Sequence, residues 1–368
     1  MMRFSTLMKH PAEWMTGASD DSSIVLTSRI RLARNISDVP FPGWARKPER
    51  IEIMTRLRPA VESLTEMRNA FSQQLSELTS VQKQVLVERH LISREQAARN
   101  EGSAAVVNRD QTLSVMINEE DHLRLQSIRS GLHLREAYKL ITKIDQQLEK
   151  SLPYAFDHEL GYLTACPTNV GTGLRASAML HLPGLVISDH IGQVIQAVAK
   201  LGLAVRGIFG EGTESLGHLF QISNQSTLGE TEDEIINRLE RVICKVRDHE
   251  RNARIKLAED DPQMLADKIG RAYGLLRHAY VIDSKEALTH LSLIRLGGDM
   301  GCFPKEVISL CDTLLMDIEP AHLQHISDKK LTPEQRDIIR AEIIRDRLQN
   351  IPTPDIGTLD NQSKQEND

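Results

Sequence analysis

Aromatic side chains are scarce, at 4% of 368 residues, which argues against a carbohydrate platform or a base-stacking surface. The cysteines Cys166, Cys244, Cys302 and Cys311 are dispersed without a Cys-x-x-Cys pair, so neither a disulfide framework nor a zinc site is expected. Met1 to His10 lacks the apolar stretch of a secretory signal, and no run approaches the length of a membrane span. A cytoplasmic location with reduced thiols is the expectation, which makes Asn35, Asn224 and Asn361, each opening a glycosylation-like triplet, chance matches. Charge imbalance is small, 45 basic against 51 acidic residues, and exerts no global pull toward nucleic acid or acidic membranes. Neither a Gly-x-x-x-x-Gly-Lys-Ser/Thr loop nor the motif set of Ser/Thr protein kinases occurs.

The length predicts two domains, and 40% hydrophobic with 26% charged residues is a soluble globular composition. SIVLTSRIRLA (23–33) alternates like a strand, and residues 48–91 recur at helical spacing. Strand-like runs at 112–118 and 122–128 flank the turn Glu119-Glu120-Asp121, and 134–152 reads as a helix. Residues 160–182 and 203–225 each read as two strands around a glycine-rich loop. From Thr231 the pattern is almost continuously helical, with helices expected at 263–279, 284–296, 304–317 and 332–348. Thr332, Pro333 and Gln335 supply the start signals of the last. The polar residues after about Ile351 are expected to be disordered. The expected division is a leading segment 1–22, a catalytic domain 23–250, a helical domain 251–350 and a tail, with a boundary near 225–255.

Arginines mark the chemistry. Arg29 and Arg31 are two apart, so both point to one face of a strand. Arg124 lies four after Glu120, which in an extended chain puts these two on a common face. Arg175 follows CPTNVGTGL, and Arg206 precedes GIFGEGTES. A planar guanidinium suits bidentate binding of phosphate oxygens. Each residue taken singly also fits a blander reading: a solvated strand arginine, a charged hairpin tip, an ordinary turn glycine.

In chain order, SSIVLTSRIRLARN, VMINEEDHLRLQ, CPTNVGTGLRASAMLHLP and VRGIFGEGTESLGHLFQISNQ resemble the signature segments of the ATP:guanido phosphotransferases, the phosphagen kinase family. The similarity is strongest to the bacterial protein-arginine kinase branch. The resemblance implies an α+β fold in which a catalytic domain with an antiparallel sheet flanked by helices precedes an all-α domain. It implies ATP as donor, with Mg²⁺ carried by the nucleotide rather than by a protein metal site. By motif, Arg29, Arg31, Arg124, Arg175 and Arg206 match the clamp on the nucleotide phosphates. Ser28 and Ile30, the run Ala176, Ser177, Ala178 and Met179, and the run Gly207, Ile208, Phe209, Gly210 and Glu211 belong to the same nucleotide site. His90 matches a position near the nucleotide and reads equally well as a structural histidine. Glu120 and Glu211 match the catalytic carboxylates and Cys166 the active-site cysteine, for which a buried inert thiol is the alternative.

The chemistry implied is intelligible from below. An arginine side chain keeps its proton in water, with a pKa above about 12, and is a poor nucleophile. Two carboxylates can fix the guanidinium, hold one nitrogen in line with the γ-phosphorus and accept the proton as the N–P bond forms. Arginines and Mg²⁺ stabilise the charge of the transferring group.

The acceptor is expected to be an exposed arginine of a protein, because only about twenty residues precede SSIVLTSRIR and the front helical domain of small-molecule phosphagen kinases is missing. RDIIRA places Arg336, Asp337, Arg340 and Ala341 in a pattern similar to a phosphoarginine-binding motif; the bland alternative is a solvated helix with an intrahelical ion pair. The resemblance further implies a homodimer, a zinc-binding activator protein and a Clp-type protease acting downstream in stress, with neither membrane nor nucleic-acid binding. Two rivals are weighed: a small-molecule arginine kinase, and a DNA-binding or adaptor protein using residues 284–317. GTGLRA fits a dinucleotide fingerprint only formally, because LRASAMLHLP alternates as a strand where a helix should open.

Overall fold

The computed structural model describes residues 2–9, 11–12, 23–207, 215–327 and 329–362. After a short helix α1 (Phe4–Met8), the alternating run forms β1 (Val25–Arg34). Ile30 and Leu32 are buried while Arg29 and Arg31 stay partly accessible, the two-residue period of a strand.

The single helical stretch expected over 48–91 is interrupted. Helix α2 (Lys47–Glu62) gives way to β2 (Phe71–Gln74), and α3 (Ser80–Glu88) and α4 (Arg94–Ala97) follow. Asn69 turns the chain with φ of 60° and Phe71 is fully buried. Pairing with β3 (Ala104–Val107), a wholly buried AAVV run, decides this segment over its local periodicity. Strands β4 (Leu113–Ile117) and β5 (Leu123–Ser130) then flank the acidic turn as expected, and α5 (Leu134–Glu149) buries Ala137, Ile141, Ile144 and Leu148 along one stripe.

A two-residue-per-strand hairpin, β6 (Phe156–Asp157) and β7 (Gly161–Tyr162), precedes β8 (Leu174–His181). Next come α6 (Pro183–Ile187), α7 (Ile191–Lys200), β9 (Leu203–Gly207) and β10 (Leu219–Asn224). The large sheet has eight strands in the order β2-β3-β4-β5-β1-β8-β10-β9, antiparallel from β2 through β1. The helical remainder comprises α8 (Glu232–Asp260), α9 (Pro262–His278), α10 (Ser284–Asp299), α11 (Glu306–Asp317), α12 (Pro320–His325), α13 (Pro333–Leu348) and α14 (Gly357–Gln362). The α+β class is as expected, and Thr332 with Gln335 forms the capping box that the sequence announces.

Two compact units divide the chain, one of residues 1–14, 27–178 and 223–240, the other of 15–26, 179–222 and 241–368. Both are discontinuous, each gathering three segments of the chain. Strand pairing brings residues distant in the chain together, which composition along the chain cannot register. Within the second unit, Arg295 holds Asp312 at 2.7 Å and Asp299 at 3.3 Å, and Arg254 joins Asp299 at 3.0 Å. A Cβ on Gly297 would lie 2.9 Å from Ile269 Cγ2, so α9 and α10 require glycine there to approach. Helix α11 carries no lysine or arginine, which removes the recognition face that a helix-turn-helix reading needs. Residues 351–362 of the expected tail are ordered: α14 lies there, Leu359 is fully buried and the Asp355 amide donates to the Cys302 carbonyl at 2.8 Å, while 363–368 lie outside the described residues. One buried leucine in a polar stretch leaves too little periodicity to read.

Candidate active site

The β1–β5 register sets Arg31 opposite Gln126 and Ala33 opposite Arg124, so Arg29, Arg31 and Arg124 share one face of the sheet. Arg29 Nε donates to Ser177 Oγ on β8 at 3.4 Å, and Arg175, two residues earlier, continues the same face. Burial, then Arg124 and Arg175, push Arg29 down to about 10. Arg31 falls well below its ordinary value through burial, then Arg29, Arg124 and Arg175, with Glu119 opposing. Guanidinium groups stay charged at neutral pH, so this repulsion is present in the folded protein. Arg31 Nε is also buried with no hydrogen-bond acceptor. A bound polyanion relieves both conditions, which is the fit expected for nucleotide phosphates.

Other residues of the expected nucleotide site have distinct placements. Ser28 faces away from the arginines: its hydroxyl donates to the Gly131 carbonyl at 2.8 Å and accepts from the His133 amide at 2.9 Å. Ile30 is in the core. Ala176, Ser177 and Ala178 are buried on an interior strand, and the Ala176 amide donates to Asn224 Oδ1 at 2.8 Å. What this stretch offers a ligand is therefore the Arg175 side chain and the Ser177 hydroxyl. Met179 is buried, Arg206 is exposed near the end of β9 and Gly207 closes that strand; all three lie in the second unit. Ile208, Phe209, Gly210 and Glu211 lie outside the described residues.

His90 follows α3 with φ of 57°, and its carbonyl accepts from Gln126 Nε2 at 2.7 Å. Burial, then Arg29, push its ring down to about 3, so an uncharged imidazole sits beside the cationic face.

The acidic turn is built by residues that the sequence pattern does not single out. Asn118, with φ of 54°, ends β4 and donates to the carbonyls of Arg50 at 2.9 Å and Gly102 at 2.7 Å. Glu119, 1% exposed, accepts from Arg124 at 2.5 Å, Ser93 at 2.5 Å and the Glu120 amide at 2.8 Å. Burial works to raise its pKa, but Arg124 and these hydrogen bonds outweigh it and hold the carboxyl below its ordinary range. The partner of Arg124 is thus Glu119 and not Glu120. The extended-chain argument fails here because Asn118 is left-handed and the Glu119 amide bonds the Asp121 carbonyl at 3.1 Å. Glu120 is left exposed on the turn, its pKa raised by partial burial, then by Asp121 and Glu119.

Asp121 fastens this turn to the loop of Cys166. Its Oδ1 accepts from Asn35 Nδ2 at 2.6 Å and from the Ala165 amide at 2.7 Å. His122 Nδ1 accepts from the Ile36 amide at 3.0 Å, which leaves Nε2 to donate to the Pro40 carbonyl at 3.2 Å. Cys166 is partly accessible, with Sγ 3.1 Å from Thr168 Oγ1. Glu120 and Cys166 therefore sit on neighbouring, mutually braced loops. The only sequence signal for Asn35 was its glycosylation-like triplet, yet it is buried at the centre of this brace.

The glycines of GTG are steric requirements. A Cβ on Gly171 would lie 2.5 Å from the Thr227 carbonyl oxygen, and one on Gly173 would lie 2.6 Å from that of Ala33. The motif leads into β8 and not a helix, which removes the dinucleotide reading.

In RDIIRA the expected ligand groups are largely engaged by protein. Arg340, 1% exposed, donates to the Ile318 carbonyl at 3.1 Å, the Ile282 carbonyl at 2.9 Å and Asp337 Oδ1 at 2.5 Å. Ala341 is buried, and half-buried Arg336 donates to the Leu331 carbonyl at 3.2 Å.

Comparison with known proteins places these features in a context. Residues 52–253 match a model of the ATP:guanido phosphotransferase C-terminal catalytic domain, and residues 262–359 match the Protein-arginine kinase McsB C-terminal domain. A protein-arginine kinase of Halothermothrix orenii is 45% identical over 92% of this chain and 97% of its own length. One from Moorella thermoacetica is 44% identical over 93% of this chain and 98% of its own. Among solved structures, a lombricine kinase is similar with a TM-score of 0.56 and 28% identity, over 64% of this chain and 68% of that one. A duplicated taurocyamine kinase from Schistosoma mansoni shares the fold with a TM-score of 0.58 and 21% identity, over 82% of this chain and 49% of that one.

Proposed function

The chain belongs to the ATP:guanido phosphotransferase family, and from that premise we propose that it transfers the γ-phosphoryl group of ATP to the guanidinium of arginine residues in proteins. Relatives carrying the name protein-arginine kinase align over nearly its whole length, and the helical remainder matches the C-terminal domain of that group. The single observation that carries the chemistry is the shared face of Arg29, Arg31, Arg124 and Arg175, whose like charges repel one another, in the same compact unit as the exposed carboxylate of Glu120.

Family membership implies ATP with Mg²⁺ as donor. Mg²⁺ arriving with the nucleotide supplies charge neutralisation on the phosphate oxygens. The guanidinium face binds the phosphates and stabilises charge on the transferring group, and neutral His90 borders it. Glu120 orients the acceptor guanidinium and takes its proton as the nitrogen–phosphorus bond forms and the bond from phosphorus to the β-phosphate oxygen breaks, leaving ADP. Cys166, on the braced loop beside it, lies on the acceptor side. The roles of Arg206 and Glu211 rest on the motif resemblance, as do phosphoarginine recognition by Arg336 and Asp337, a homodimeric assembly, a zinc-binding activator and delivery of products to a Clp-type protease. No helix among the described residues is long and apolar enough to cross a membrane.

The test uses MgATP and a peptide with one arginine. Fragment mass spectra should place one phosphoryl group on that arginine, and the same peptide with lysine there should stay unmodified. Phosphate on serine, threonine or tyrosine, or on both peptides, would overturn the reading.

A further inference from the structure

Where α3 ends at His90, the chain is held from two directions. The Leu91 amide reaches back to the Leu86 carbonyl at 2.9 Å, a helix stop whose left-handed position usually falls to glycine. Here a histidine takes that position with φ of 57°, a conformation that side chains disfavour and neighbours must enforce. From the sheet, Gln126 Nε2 donates to the His90 carbonyl at 2.7 Å, and Gln126 stands opposite Arg31 in the β1–β5 register. His90 is thus tied to the strands that carry Arg31 and Arg124, with its uncharged ring beside Arg29.

The second tie comes from residues 2–9. Arg89, adjacent to His90 and 4% exposed, donates from Nη1 to the Leu7 carbonyl at 3.2 Å and from Nη2 to the Met8 carbonyl at 3.4 Å. Nη1 also donates to Gln111 Oε1 at 2.9 Å, and Gln111 Nε2 donates to the same Leu7 carbonyl at 3.1 Å. Arg89, Gln111 and the end of α1 therefore form one closed polar cluster. The other end of the segment is anchored separately. The Met2 amide donates to the Ala70 carbonyl at 3.0 Å, and Phe4 meets Phe71 edge-on with ring centroids 6.1 Å apart. Closing α3 does not need the Arg89 side chain, because the amides of Arg89 and His90 already bond the carbonyls of Val85 and Val87 at 2.9 Å. Nor does α1 need it for burial, which Phe4 and Leu7 supply. A buried guanidinium is a costly anchor; what it adds here is a fixed place for the residue next to it.

We infer that Arg89 is a positioning residue for nucleotide binding: held by the carbonyls of Leu7 and Met8, it sets His90 against the guanidinium face, so that segment 2–9 acts as a strap on the nucleotide site. The inference rests on the kinase reading above, in which that face takes the phosphates of ATP. Gln126 fixes the His90 carbonyl from one side and Arg89 fixes the backbone from the other, which leaves the imidazole little freedom to turn. Loosening the strap lets the backbone relax from its left-handed geometry and moves the ring, while Glu120 and the acceptor side are untouched. The coupling is reciprocal: a nucleotide that favours the set position of His90 also favours the docked strap.

The test is calorimetric binding of a non-hydrolysable ATP analogue with Mg²⁺ to the whole chain. Arg89→Lys keeps the charge but cannot fork between two carbonyls. It should weaken binding by about threefold and Arg89→Met by about tenfold, with the KM for an arginine peptide unchanged. Phe4→Ala, at the far end of the strap, should shift binding in the same direction. His90→Asn removes the ring and tolerates the left-handed backbone; in that background Arg89→Lys should add less than about a further 1.5-fold. On the wild type alone, the analogue should slow hydrogen exchange of the Thr6 and Leu7 amides, a readout that needs no variant to fold. Unchanged affinity in folded Arg89→Lys, the same loss in both backgrounds, or exchange at Thr6 and Leu7 indifferent to the analogue overturns the inference. If the wild type and the Arg89 variants bind the analogue equally, the strap alone is refuted. A wild type that fails to bind it removes the kinase reading and the strap with it.

Discussion

Glu119 and Arg124 are joined by a 2.5 Å ion pair, and that bond decides which of two adjacent glutamates is available to an acceptor. Glu119 is buried against an arginine of the guanidinium face and Ser93, while Glu120 is exposed beside it. Glu120→Gln should lower kcat by about a hundredfold or more, the scale of a lost general base, with little change in ATP affinity. Glu119→Gln should instead weaken ATP binding, because it disturbs Arg124. Steady-state kinetics on both variants checks this; the reverse assignment would identify Glu119 as the acceptor carboxylate.

Partial burial, then Asp121 and Glu119, raise the Glu120 pKa above its ordinary 4.5. A base acts only when ionised, and a carboxyl with a raised pKa becomes protonated at a higher pH as the solution is acidified. The acid limb of kcat at saturating ATP should therefore have its midpoint above 4.5. Glu95, a further contributor to the upward shift, gives a control: Glu95→Gln should move that midpoint down. The folded state favours the protonated form, so Glu120→Gln should leave thermal stability unchanged or slightly raised above pH 5 or so.

Repulsion across the guanidinium face makes a paired prediction. Arg31→Gln should weaken ATP binding by about one to two orders of magnitude, the scale of a lost charge-assisted phosphate contact. The same change should hold or raise the melting temperature of the nucleotide-free protein, because it removes one of several like charges. In the wild type, ATP should raise the melting temperature strongly. Thermal shift with and without nucleotide reads all of this, and a large destabilisation of nucleotide-free Arg31→Gln would contradict it.

Arg340 and Arg336 should separate by stability. Arg340→Ala leaves the carbonyls of Ile282 and Ile318 without their buried donor, at a cost of about 3 kcal/mol in denaturant unfolding. Arg336→Ala, half-buried with one hydrogen bond to its own helix start, should cost about 1 kcal/mol or less. If phosphoarginine binds this helix, Arg336 is then the position at which binding can be removed without unfolding.

Much of the fold was legible because local rules coincide with the tertiary outcome. The two-residue spacing of Arg29 and Arg31 places both on one strand face, and Thr332 with Gln335 caps α13 as its sequence says. What was hidden depends on contacts across the chain. β2 lies in a helical pattern and exists because β3 pairs with it. Arg124 looked aligned with Glu120 until a left-handed Asn118 rotated the turn and delivered Glu119. Asn35, Asp121 and His122 brace the site through bonds spanning 44 to 128 residues, and no spacing rule reaches that far. Arg340 read as a ligand from its motif, and only burial against two distant carbonyls revealed its structural work.

The most direct measurement is a competition in one tube between an unfolded protein and free arginine in molar excess, with γ-labelled ATP and Mg²⁺. Label should enter the protein as an acid-labile, base-stable nitrogen–phosphorus bond on arginine, and Glu120→Gln should abolish it. Rapid label transfer to free arginine with none in the protein, or acid-stable label in the protein, would contradict the account.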